Sequence, residues 1–371
     1  MTYRIAIRTD SSLTLGTGHL YRCLALANAL RQRGASVFFI CVELPGNLSE
    51  FIENRGYVVH HLPPKMSGDK EISSSLHPHW SGIDWKIDAK NTSEVLAGMP
   101  KPAWLLVDHY ALDMRWERQL RPFTGKIMII DDLADRSHDC DLLLDQNFHM
   151  HPGQRYLGKV PAQCRILLGP RYALLRPEFL SARKLLRNRD GRVNRILVFF
   201  GGADPTNETE KALESIRMVN RPEIFVDVVV GDANPHGDRI RHLCSGMANV
   251  TFHRQVDHMA ELIVKADLAI GAPGTSTWER CYLGLPAVTL VIAENQLSVA
   301  VQVSEAGAIV NAGWISEVGA ESLAVALRRL LEDHERLREM SRKGMELMGG
   351  DSFEGADGVV RAMVGDRIAA A

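Results

Sequence analysis

Residues 3–24 of the chain read YRIAIRTDSSLTLGTGHLYRCL, and this stretch decides the fold class. Its first part, Tyr3–Arg8, is a short apolar run that predicts a strand, and the leucines that follow residue 19 have the spacing of a helix. The turn between them contains Gly16 and Gly18. Because a strand, a glycine-rich turn and a helix in this order begin a βαβ unit, the stretch predicts an α/β fold with a parallel sheet.

The same alternation recurs along the chain. The predicted strands are Tyr3–Arg8, Ser36–Cys41, Ala103–Val107, Lys126–Ile130, Arg195–Phe200, Ile224–Val230, Leu268–Ile270 and Ala287–Val291. Each is a nearly continuous apolar run, which is typical of parallel strands that are covered on both faces, and amphipathic helical stretches lie between several of them. The sequence therefore predicts two doubly wound, Rossmann-like α/β domains.

The length of 371 residues also favours two domains, at about 150 residues for each domain. The alternation of strands and helices breaks in the middle of the chain, where the basic run Arg183–Arg189 is predicted to be a solvated connecting helix. Residues 62–92 are predicted to form a long loop or insertion. The predicted organisation is an N-terminal Rossmann-like domain at 1–165, a linker at 166–190, a C-terminal Rossmann-like domain at 191–350 and a helical tail at 351–371.

Composition excludes several classes of protein. The 43 basic and 45 acidic residues give a net charge of −2, which argues against a broad basic face for nucleic acid or for an anionic membrane. The six cysteines contain no CxxC pair, so reduced thiols are expected. No signal peptide and no uncharged apolar run of about 18 residues are evident. A cytoplasmic enzyme or binding protein is expected, and a monomer is consistent with the sequence.

The first glycine-rich turn suggests a ligand site. Gly16 and Gly18 allow close approach of a ligand to the backbone, but Tyr21 replaces the third glycine of the dinucleotide fingerprint, and no P-loop motif is present. His19 lies in the first helical turn, where the helix dipole favours a neutral imidazole that can act as a general base. Arg22 shares the face of His19 and could hold an anionic leaving group. The alternative is that His19 caps the helix and Arg22 is a surface charge.

A second glycine-rich turn predicts a nucleotide site. It runs from Gly271 through Gly274 to three hydroxyl residues, Thr275, Ser276 and Thr277, and Glu279 follows in the first helical turn. Hydroxyls and unpaired backbone N–H groups at such a turn can cradle phosphate, and the glutamate can accept hydrogen bonds from ribose hydroxyls. The alternative is an ordinary helix cap followed by an acidic residue that the helix dipole favours.

Three other positions follow predicted strands and are candidates for binding the same ligand. Asn295 and Gln296 are candidates for sugar or phosphate hydrogen bonds, Val256 lies in a loop that could read a base, and Gly202 could approach phosphate. The sequence contains no HExxH or GxSxG motif, and Asp131-Asp132 is not an Asp-x-Asp pair. No metal and no cofactor are therefore predicted.

Several segments together resemble a known family. They are Arg8-Thr9-Asp10 with Gly16–Leu24, Val107–Tyr110, Asp131–Arg136, Asp145–Asn147, Gly169–Phe179 and Gly271–Glu279. In combination they resemble the UDP-2,4-diacetamido-2,4,6-trideoxy-β-L-altropyranose hydrolases of pseudaminic acid biosynthesis. Spore-coat polysaccharide proteins resemble the same family, so the pathway, flagellin glycosylation or surface polysaccharide, stays open. Residues 62–83, which include Lys65–His79, depart from the short segment that the family is expected to have before Asp84.

The resemblance implies a GT-B fold, with two Rossmann-like domains that face a cleft, like the UDP-GlcNAc transferase of peptidoglycan synthesis. It implies metal-independent hydrolysis of a UDP-sugar at the anomeric carbon with inversion. The family's catalytic histidine falls on His19 and its tyrosine near the reacting sugar on Tyr110. Its ribose-binding glutamate falls on Glu279 and its diphosphate contacts on Thr275 and Ser276, with further contacts around Asn295 and Gln296. A glycosyltransferase on the same scaffold and a non-catalytic nucleotide-sugar-binding protein are the alternatives.

Overall fold

The structure is a computed structural model that describes residues 3–12, 15–64 and 84–365. The chain divides into two compact units, of which the first comprises the chain up to Arg176 together with the segment from Glu354, and the second comprises Pro177–Phe353. Residues 65–83, which are most of the predicted insertion at 62–92 and of the departure at 62–83, lie outside the described residues, as do residues 1, 2, 13, 14 and 366–371.

Unit 1 is built on a parallel sheet. Its strands are β1 (Arg4–Thr9), β2 (Ser36–Val42), β3 (Val58–Leu62), β4 (Trp104–Asp108), β5 (Lys126–Ile130), β6 (Leu142–Asp145) and β7 (Arg165–Leu168), in the order β3-β2-β1-β4-β5-β6-β7. Its helices are α1 (Gly18–Gln32), α2 (Ser49–Glu53), α3 (Trp85–Ala97), α4 (Met114–Leu120) and α13 (Gly355–Val364). The sheet has a hydrophobic core on each face, and the side chains of β1 alternate between them. Ile5 and Ile7 pack on one face of the sheet and Ala6 packs on the other.

The C-terminal helix α13 packs with unit 1. Val359, Val360 and Met363 are buried in the same core as Leu20 and Cys23 of α1. Burial of each large apolar side chain contributes about 1.5–3 kcal/mol, which favours this docking over a solvated tail. The division of the chain therefore differs from the predicted one, in which residues 351–371 follow the second domain as a tail. The predicted linker at 166–190 is also divided, because β7 pairs with β6 in the sheet of unit 1.

Unit 2 repeats the same architecture. Its strands are β8 (Arg195–Phe199), β9 (Phe225–Val230), β10 (Val250–Arg254), β11 (Leu268–Gly271), β12 (Ala287–Val291) and β13 (Ile309–Trp314), in the parallel order β10-β9-β8-β11-β12-β13. Its helices are α5 (Pro177–Ala182), α6 (Glu208–Val219), α7 (Gly237–Ser245), α8 (Met259–Lys265), α9 (Ser276–Tyr282), α10 (Glu294–Glu305), α11 (Ala320–Glu332) and α12 (His334–Leu347). The eight predicted strands are confirmed, each with its ends within one residue of the prediction.

The basic run Arg183–Arg189 is not a solvated helix, and that prediction is wrong. Arg183 donates to the carbonyl of Tyr282, and Arg187 forms an ion pair with the buried carboxylate of Asp267. Arg189 is buried, and its guanidinium donates to the carbonyls of Ile263 (2.8 Å), Ala266 (3.0 Å), Leu283 (2.6 Å) and Gly284 (3.1 Å). These carbonyls lie at the C-terminal ends of α8 and α9, where the helices leave backbone acceptors without partners.

Replacing Arg189 by methionine is expected to lower the free energy of opening of unit 2 by about 3–5 kcal/mol, because several buried carbonyls lose a charged donor. Hydrogen exchange of the amides in β11 and β12 measures this energy, with β1 and β4 of unit 1 as the internal reference. Arg192→Met is the matched control, because the Arg192 side chain is 74% exposed, and it should change stability by no more than about 0.5 kcal/mol. Equal protection in the two variants would refute the structural role of Arg189.

Candidate functional site

The first cluster of candidate residues lies at the carboxyl ends of β1 and β4. The strand order of unit 1 reverses direction between these two strands, and ligands of open α/β sheets bind outside such a switch point. Thr9 at the end of β1 pairs in register with Asp108 at the end of β4. The glycine-rich turn that follows β1 and the segment Asp108–Tyr110 are therefore brought together by the sheet.

The turn before α1 has the backbone that its glycines predict. Gly16 has a φ of +75°, in the left-handed region that favours glycine, and its amide donates to the carbonyl of Ser12 at 3.0 Å. Gly18 is the first residue of α1, and Thr17 at the cap position makes no side-chain capping bond. His19 therefore enters the first turn of the helix, and the alternative that it caps the helix is wrong.

His19 is paired with a carboxylate. Its Nδ1 lies 2.6 Å from Oδ1 of Asp108, and His19 is 8% exposed. Nδ1 also lies 3.1 Å from Nη2 of Arg22, which can only donate, but the contact with Asp108 is much shorter. Because an ionised carboxylate only accepts hydrogen bonds, the shorter contact assigns the proton of the neutral ring to Nδ1 and the lone pair to Nε2. The cluster thus holds a histidine in the tautomer that can take a proton at Nε2.

Arg22 is buried between two carboxylates. Its Nε and Nη2 donate to the two oxygens of Asp108, both at 2.6 Å, and its Nη1 donates to Asp132 at 2.8 Å. The residue is 3% exposed, so it is not a surface charge. The prediction that Arg22 holds an anionic leaving group is corrected, because these carboxylates occupy its guanidinium. Its place in the structure is that of a positioning residue for Asp108.

The charge on Asp108 is strongly stabilised. Burial alone would raise the pKa of this carboxyl, but the charges of Arg22 and His19 and their hydrogen bonds outweigh burial and hold the pKa well below its usual range. Asp108 therefore remains an anion at neutral pH, as the pairing with His19 requires. A permanently charged carboxylate next to imidazole both orients the ring and stabilises the imidazolium that forms when the ring takes a proton.

Tyr110 lies against His19, with ring centroids 4.6 Å apart and the rings at 83° in an edge-on arrangement. Burial, followed by the charge of Asp132, raises the pKa of Tyr110 well above its ordinary value. Tyr110 is therefore a neutral side chain that lies between the charge of Asp132 and the ring of His19. The structure brings the predicted residues Gly16, Gly18, His19 and Tyr110 together in unit 1.

A second buried network of charged and polar side chains lies beside this cluster. Arg8 forms ion pairs with Asp10 (2.6 Å) and Asp88 (2.5 Å), and Nε2 of His109 lies 3.1 Å from Oδ2 of Asp10. The amide of Ala111 donates to Nδ1 of His109 at 3.1 Å, which places the proton of His109 on Nε2. Burial is the main cause that lowers the pKa of His109, so this ring is neutral at pH 7. The network thus links the end of β1 with His109, the residue that follows Asp108.

The second cluster lies at the corresponding place in unit 2, at the carboxyl ends of β8 and β11, where the strand order again reverses. Gly201 and Gly202 follow β8, and Gly201 has a φ of +97°. A Cβ at Gly271 would lie 2.2 Å from the carbonyl oxygen of Phe199, and a Cβ at Gly231 would lie 2.3 Å from that of Gly202. A side chain at Gly231 or Gly271 would therefore collide with the backbone of the neighbouring segment. At Gly202 there is room, because a Cβ there would meet nothing within 4 Å.

The hydroxyl residues of this cluster begin α9. Thr275 is at the cap position and makes no side-chain capping bond, so an ordinary helix cap does not account for the hydroxyls. Ser276 and Glu279 are half-buried, whereas Thr277 is fully buried. A Cβ placed on Gly274 would lie 3.5 Å from Nε2 of Gln296, so the turns before α9 and α10 are neighbours.

The remaining predicted residues are placed less closely together. Oε1 of Gln296 accepts from the amide of Ile292 at 3.3 Å, and Asn295 is half-buried beside it in the first turn of α10. Val256 follows β10, which is the edge strand two places from β8. Gly274 and Gln296 are therefore neighbours. Val256 lies after the edge strand β10, on the other side of β8 from them.

Three residues of the two clusters received no role from the sequence. Asp108 and Asp132 pair with α1 across 86 and 110 residues of chain, and Arg280 lies buried under the second glycine-rich turn. The position of Asp108 at the end of the strand beside β1 was a usable signal, because strand-end acids on neighbouring parallel strands converge. The burial of Arg280 has no signature in the sequence.

No group of three or more histidine, cysteine, aspartate or glutamate side chains in residues 3–12, 15–64 and 84–365 has the arrangement of a metal site. None of the helices in the same ranges has the length and apolar character needed to cross a membrane.

Comparison with known sequences agrees with the predicted resemblance. Residues 195–350 match the glycosyltransferase family 28 C-terminal domain. The chain is 25% identical over 305 residues to the UDP-2,4-diacetamido-2,4,6-trideoxy-β-L-altropyranose hydrolase of Campylobacter jejuni, across 82% of this chain and 97% of that protein. The resemblance inferred from the motifs is thereby confirmed.

Two other relatives match over a smaller part of their length. An uncharacterized protein of Methanocaldococcus jannaschii, MJ1062, is 27% identical over 300 residues, across 79% of this chain and 56% of its own. The spore coat polysaccharide biosynthesis protein SpsG of Bacillus subtilis is 30% identical over 195 residues, across 52% of this chain and 56% of its own. The chain thus spans little more than half the length of these two relatives.

Solved structures with the same fold include MurG of Acinetobacter baumannii, with a TM-score of 0.65 at 14% identity over 97% of this chain and 99% of that one. UGT89C1 of Arabidopsis thaliana in complex with UDP has a TM-score of 0.67 at 15% identity over 98% of this chain and 100% of that one. The predicted α/β, GT-B fold class is confirmed. The relatives with named activities point to the chemistry of nucleotide-linked sugars in sugar biosynthesis.

Proposed function

We propose that the chain is an enzyme that hydrolyses a UDP-linked 2,4-diacetamido-2,4,6-trideoxyhexose to UDP and the free sugar, with inversion at the anomeric carbon and without a metal. The observation that carries this proposal is the pairing of His19 with Asp108 at 2.6 Å, which gives a histidine suited to remove a proton from water. The similarity to the Campylobacter jejuni hydrolase supplies the substrate class.

The proposed reaction is a single displacement. Nε2 of His19 takes a proton from a water molecule while the water oxygen forms a bond to the anomeric carbon. The bond between that carbon and the diphosphate oxygen breaks, and its electron pair leaves with UDP. Because water attacks the face opposite to the leaving group, the configuration at the anomeric carbon inverts. The charge of Asp108 stabilises the imidazolium that results.

The other predicted residues have binding roles in this proposal. Unit 2 takes the nucleotide, with Gly202, Gly274, Thr275 and Ser276 at the diphosphate, Glu279 at the ribose hydroxyls, Val256 at the uracil, and Asn295 and Gln296 at further polar groups. Unit 1 takes the reacting sugar, with Gly16 and Gly18 allowing close approach and Tyr110 beside the ring. In this proposal Arg22 acts on the substrate through Asp108 and His19, because it is buried and its charge is paired with Asp108 and Asp132.

The proposed activity is tested by incubating the purified full-length chain with a panel of UDP-sugars that includes 2,4-diacetamido-2,4,6-trideoxyhexoses and, as a control, UDP-GlcNAc. We expect UDP release from a diacetamido-trideoxy substrate only, with a free sugar that NMR shows to have the inverted anomeric configuration at early times. Retention of configuration, or tight UDP binding without release from any member of the panel, would contradict the proposal. The second of these outcomes is the one expected of a nucleotide-sugar-binding protein.

A glycosyltransferase that uses a UDP-sugar donor is the second candidate, and the match of residues 195–350 to the glycosyltransferase family 28 domain favours it. The two functions differ in the group that attacks the anomeric carbon, which is water in one case and an acceptor hydroxyl in the other. Addition of acceptor sugars to the same assay separates them, since a transferase gives a glycoside in place of free sugar. The cytoplasmic location stays a prediction, and the sequence leaves the oligomeric state open.

A further inference from the structure

Arg280 is a buried guanidinium that lacks a carboxylate partner. It is 3% exposed, and no carboxylate of the described residues lies within ion-pair distance of it. The buried guanidinium groups of Arg8 and Arg22 are each paired with two carboxylates, and that of Arg189 is surrounded by helix-end carbonyls. Burying a charge without an opposite charge is costly, so the position of Arg280 calls for an explanation.

The hydrogen bonds of Arg280 are all directed to the second glycine-rich turn and the start of α9. Nη2 donates to the carbonyl of Ala272 at 2.9 Å and to the hydroxyl of Thr277 at 3.1 Å, and Nη1 donates to the hydroxyl of Ser276 at 3.3 Å. Its Nε is buried and without a partner. Burial lowers the pKa of Arg280 to about 10, which leaves the side chain charged at neutral pH.

These contacts determine the hydrogen-bonding character of Ser276. A hydroxyl oxygen that accepts a bond from a guanidinium directs its own hydrogen elsewhere, toward an acceptor. Ser276 is half-buried, so its hydrogen can be offered to a ligand, while Arg280 is almost fully buried behind it. The charge of Glu279 acts on Arg280 and raises its pKa, but no carboxylate of the described residues forms an ion pair with it. The turn therefore presents a donor that is backed by a buried guanidinium, and this combination suits an anion.

The adjoining cavity is too small to hold such an anion directly against Arg280. It has a volume of about 10 Å³ and is lined by Ser276, Glu279 and Arg280 together with apolar side chains. A cavity of this size accommodates a single water molecule at most. Arg280 therefore acts on a ligand without touching it, through the hydrogen bond to Ser276 and through the electrostatic effect of its charge.

We propose that Arg280 is a positioning residue that makes this turn selective for a phosphate-bearing ligand, because it fixes Ser276 as a hydrogen-bond donor and supplies positive charge from below. The inference rests on the proposed function, in which the diphosphate of UDP is the anion. A purely structural role for Arg280 would affect charged and uncharged ligands alike. The proposed role affects binding in proportion to the charge of the ligand.

The experiment compares the binding of UDP, UMP and uridine to the full chain and to Arg280→Met, Ser276→Ala and the double variant, by calorimetry and NMR titration. Arg280→Met is expected to weaken UDP binding by about 10- to 100-fold, as for the loss of a charge-assisted interaction, and to change uridine binding by less than about threefold. The double variant should bind UDP no more weakly than Arg280→Met, within about twofold. The reason is that both substitutions remove the same interaction, the hydrogen bond that Ser276 donates to the ligand when Arg280 holds it in place. Arg192→Met is the control for loss of an arginine elsewhere in unit 2.

Three results would overturn the inference: unchanged UDP binding in Arg280→Met, equal losses for UDP and uridine, or unchanged UDP binding in Ser276→Ala. Unchanged UDP binding in Ser276→Ala would overturn the inference even if Arg280→Met does not fold. Ser276 is half-buried and its truncation is a small change, so this variant is expected to fold. Arg280→Lys keeps the charge but not the fork of donors, and an intermediate loss is expected for it. If the unaltered chain itself does not bind UDP, the proposed function fails rather than the role of Arg280.

Discussion

Replacing His19 by alanine is expected to slow the release of UDP from the sugar substrate by about 10²–10⁴-fold, the contribution of a well-placed general base. The affinity for UDP should change by less than about threefold, because the predicted nucleotide contacts all lie in unit 2 and a general base acts on the reacting water. Steady-state and single-turnover rates of UDP release, together with calorimetry for UDP, give the two quantities separately.

His19→Gln sharpens this test. The glutamine amide can donate to Asp108 but carries no basic nitrogen, so it separates loss of the base from loss of a buried hydrogen bond. His151→Ala is the matched control, because His151 is an exposed histidine of unit 1. Release of UDP at an undiminished rate by His19→Gln would exclude the role of His19 as the base, whatever the fate of the fold in His19→Ala.

The sequence predicted His19 and missed the residue that orients it, and the reason is physical. The glycine-rich turn and the helix start are encoded locally, within residues 3–24, where spacing alone places His19 in the first turn of α1. Its partner Asp108 is 89 residues away along the chain, and only the pairing of β1 with β4 brings the two together. The sequence marks Asp108 as an acid at a strand end, but it does not show which strand lies beside β1, and so it does not identify Asp108 as the partner of His19.

The error at Arg22 has the same origin. Helical spacing correctly placed Arg22 on the face of His19, but whether an arginine on that face is free or buried depends on the acids that the rest of the fold brings to it. Asp108 and Asp132 come from the ends of two other strand segments and together bind all three nitrogens of the guanidinium. The spacing of residues in a helix predicts the helix face on which a side chain lies, but the ion-pair partners of that side chain depend on the tertiary fold.

The strands that the prediction omitted are mostly at sheet edges. β3 and β7 are the edges of the first sheet, and β10 and β13 are the edges of the second. An edge strand is half-exposed and carries polar residues, as in the sequence VTFHR of β10, so it lacks the continuous apolar run on which the other strands were recognised. β6 is internal but has only four residues, which is short for recognition by pattern.

Replacing Asp108 by asparagine is expected to lower kcat by about 10²–10⁴-fold and to lower the free energy of unfolding by about 3–5 kcal/mol. Arg22 donates to both oxygens of Asp108 and His19 donates to one, so any orientation of the asparagine amide sets an N–H group against a donor. Asp357→Asn is the control, since the Asp357 side chain is 63% exposed. The ¹⁵N NMR signals of His19 should show partial loss of the Nδ1–H tautomer, which a merely structural defect would not produce.

The loss of stability in Asp108→Asn is expected to depend on pH, and the pKa of Asp108 gives the direction of that dependence. Because the folded pKa of Asp108 is held well below its usual range, the stability that its charge contributes is fully present above the unfolded pKa of about 3.9 and is lost as the pH falls further. Asp108→Asn lacks this contribution, so the difference in unfolding free energy between the unaltered chain and the variant should be constant from pH 7 to about 5 and should shrink below about pH 4. Urea unfolding at pH 7, 5 and 3.5 measures the difference. A gap that stays constant down to pH 3.5 would mean that Asp108 is not held as a stabilised anion, and the dyad would then lack the charge that the proposed mechanism requires.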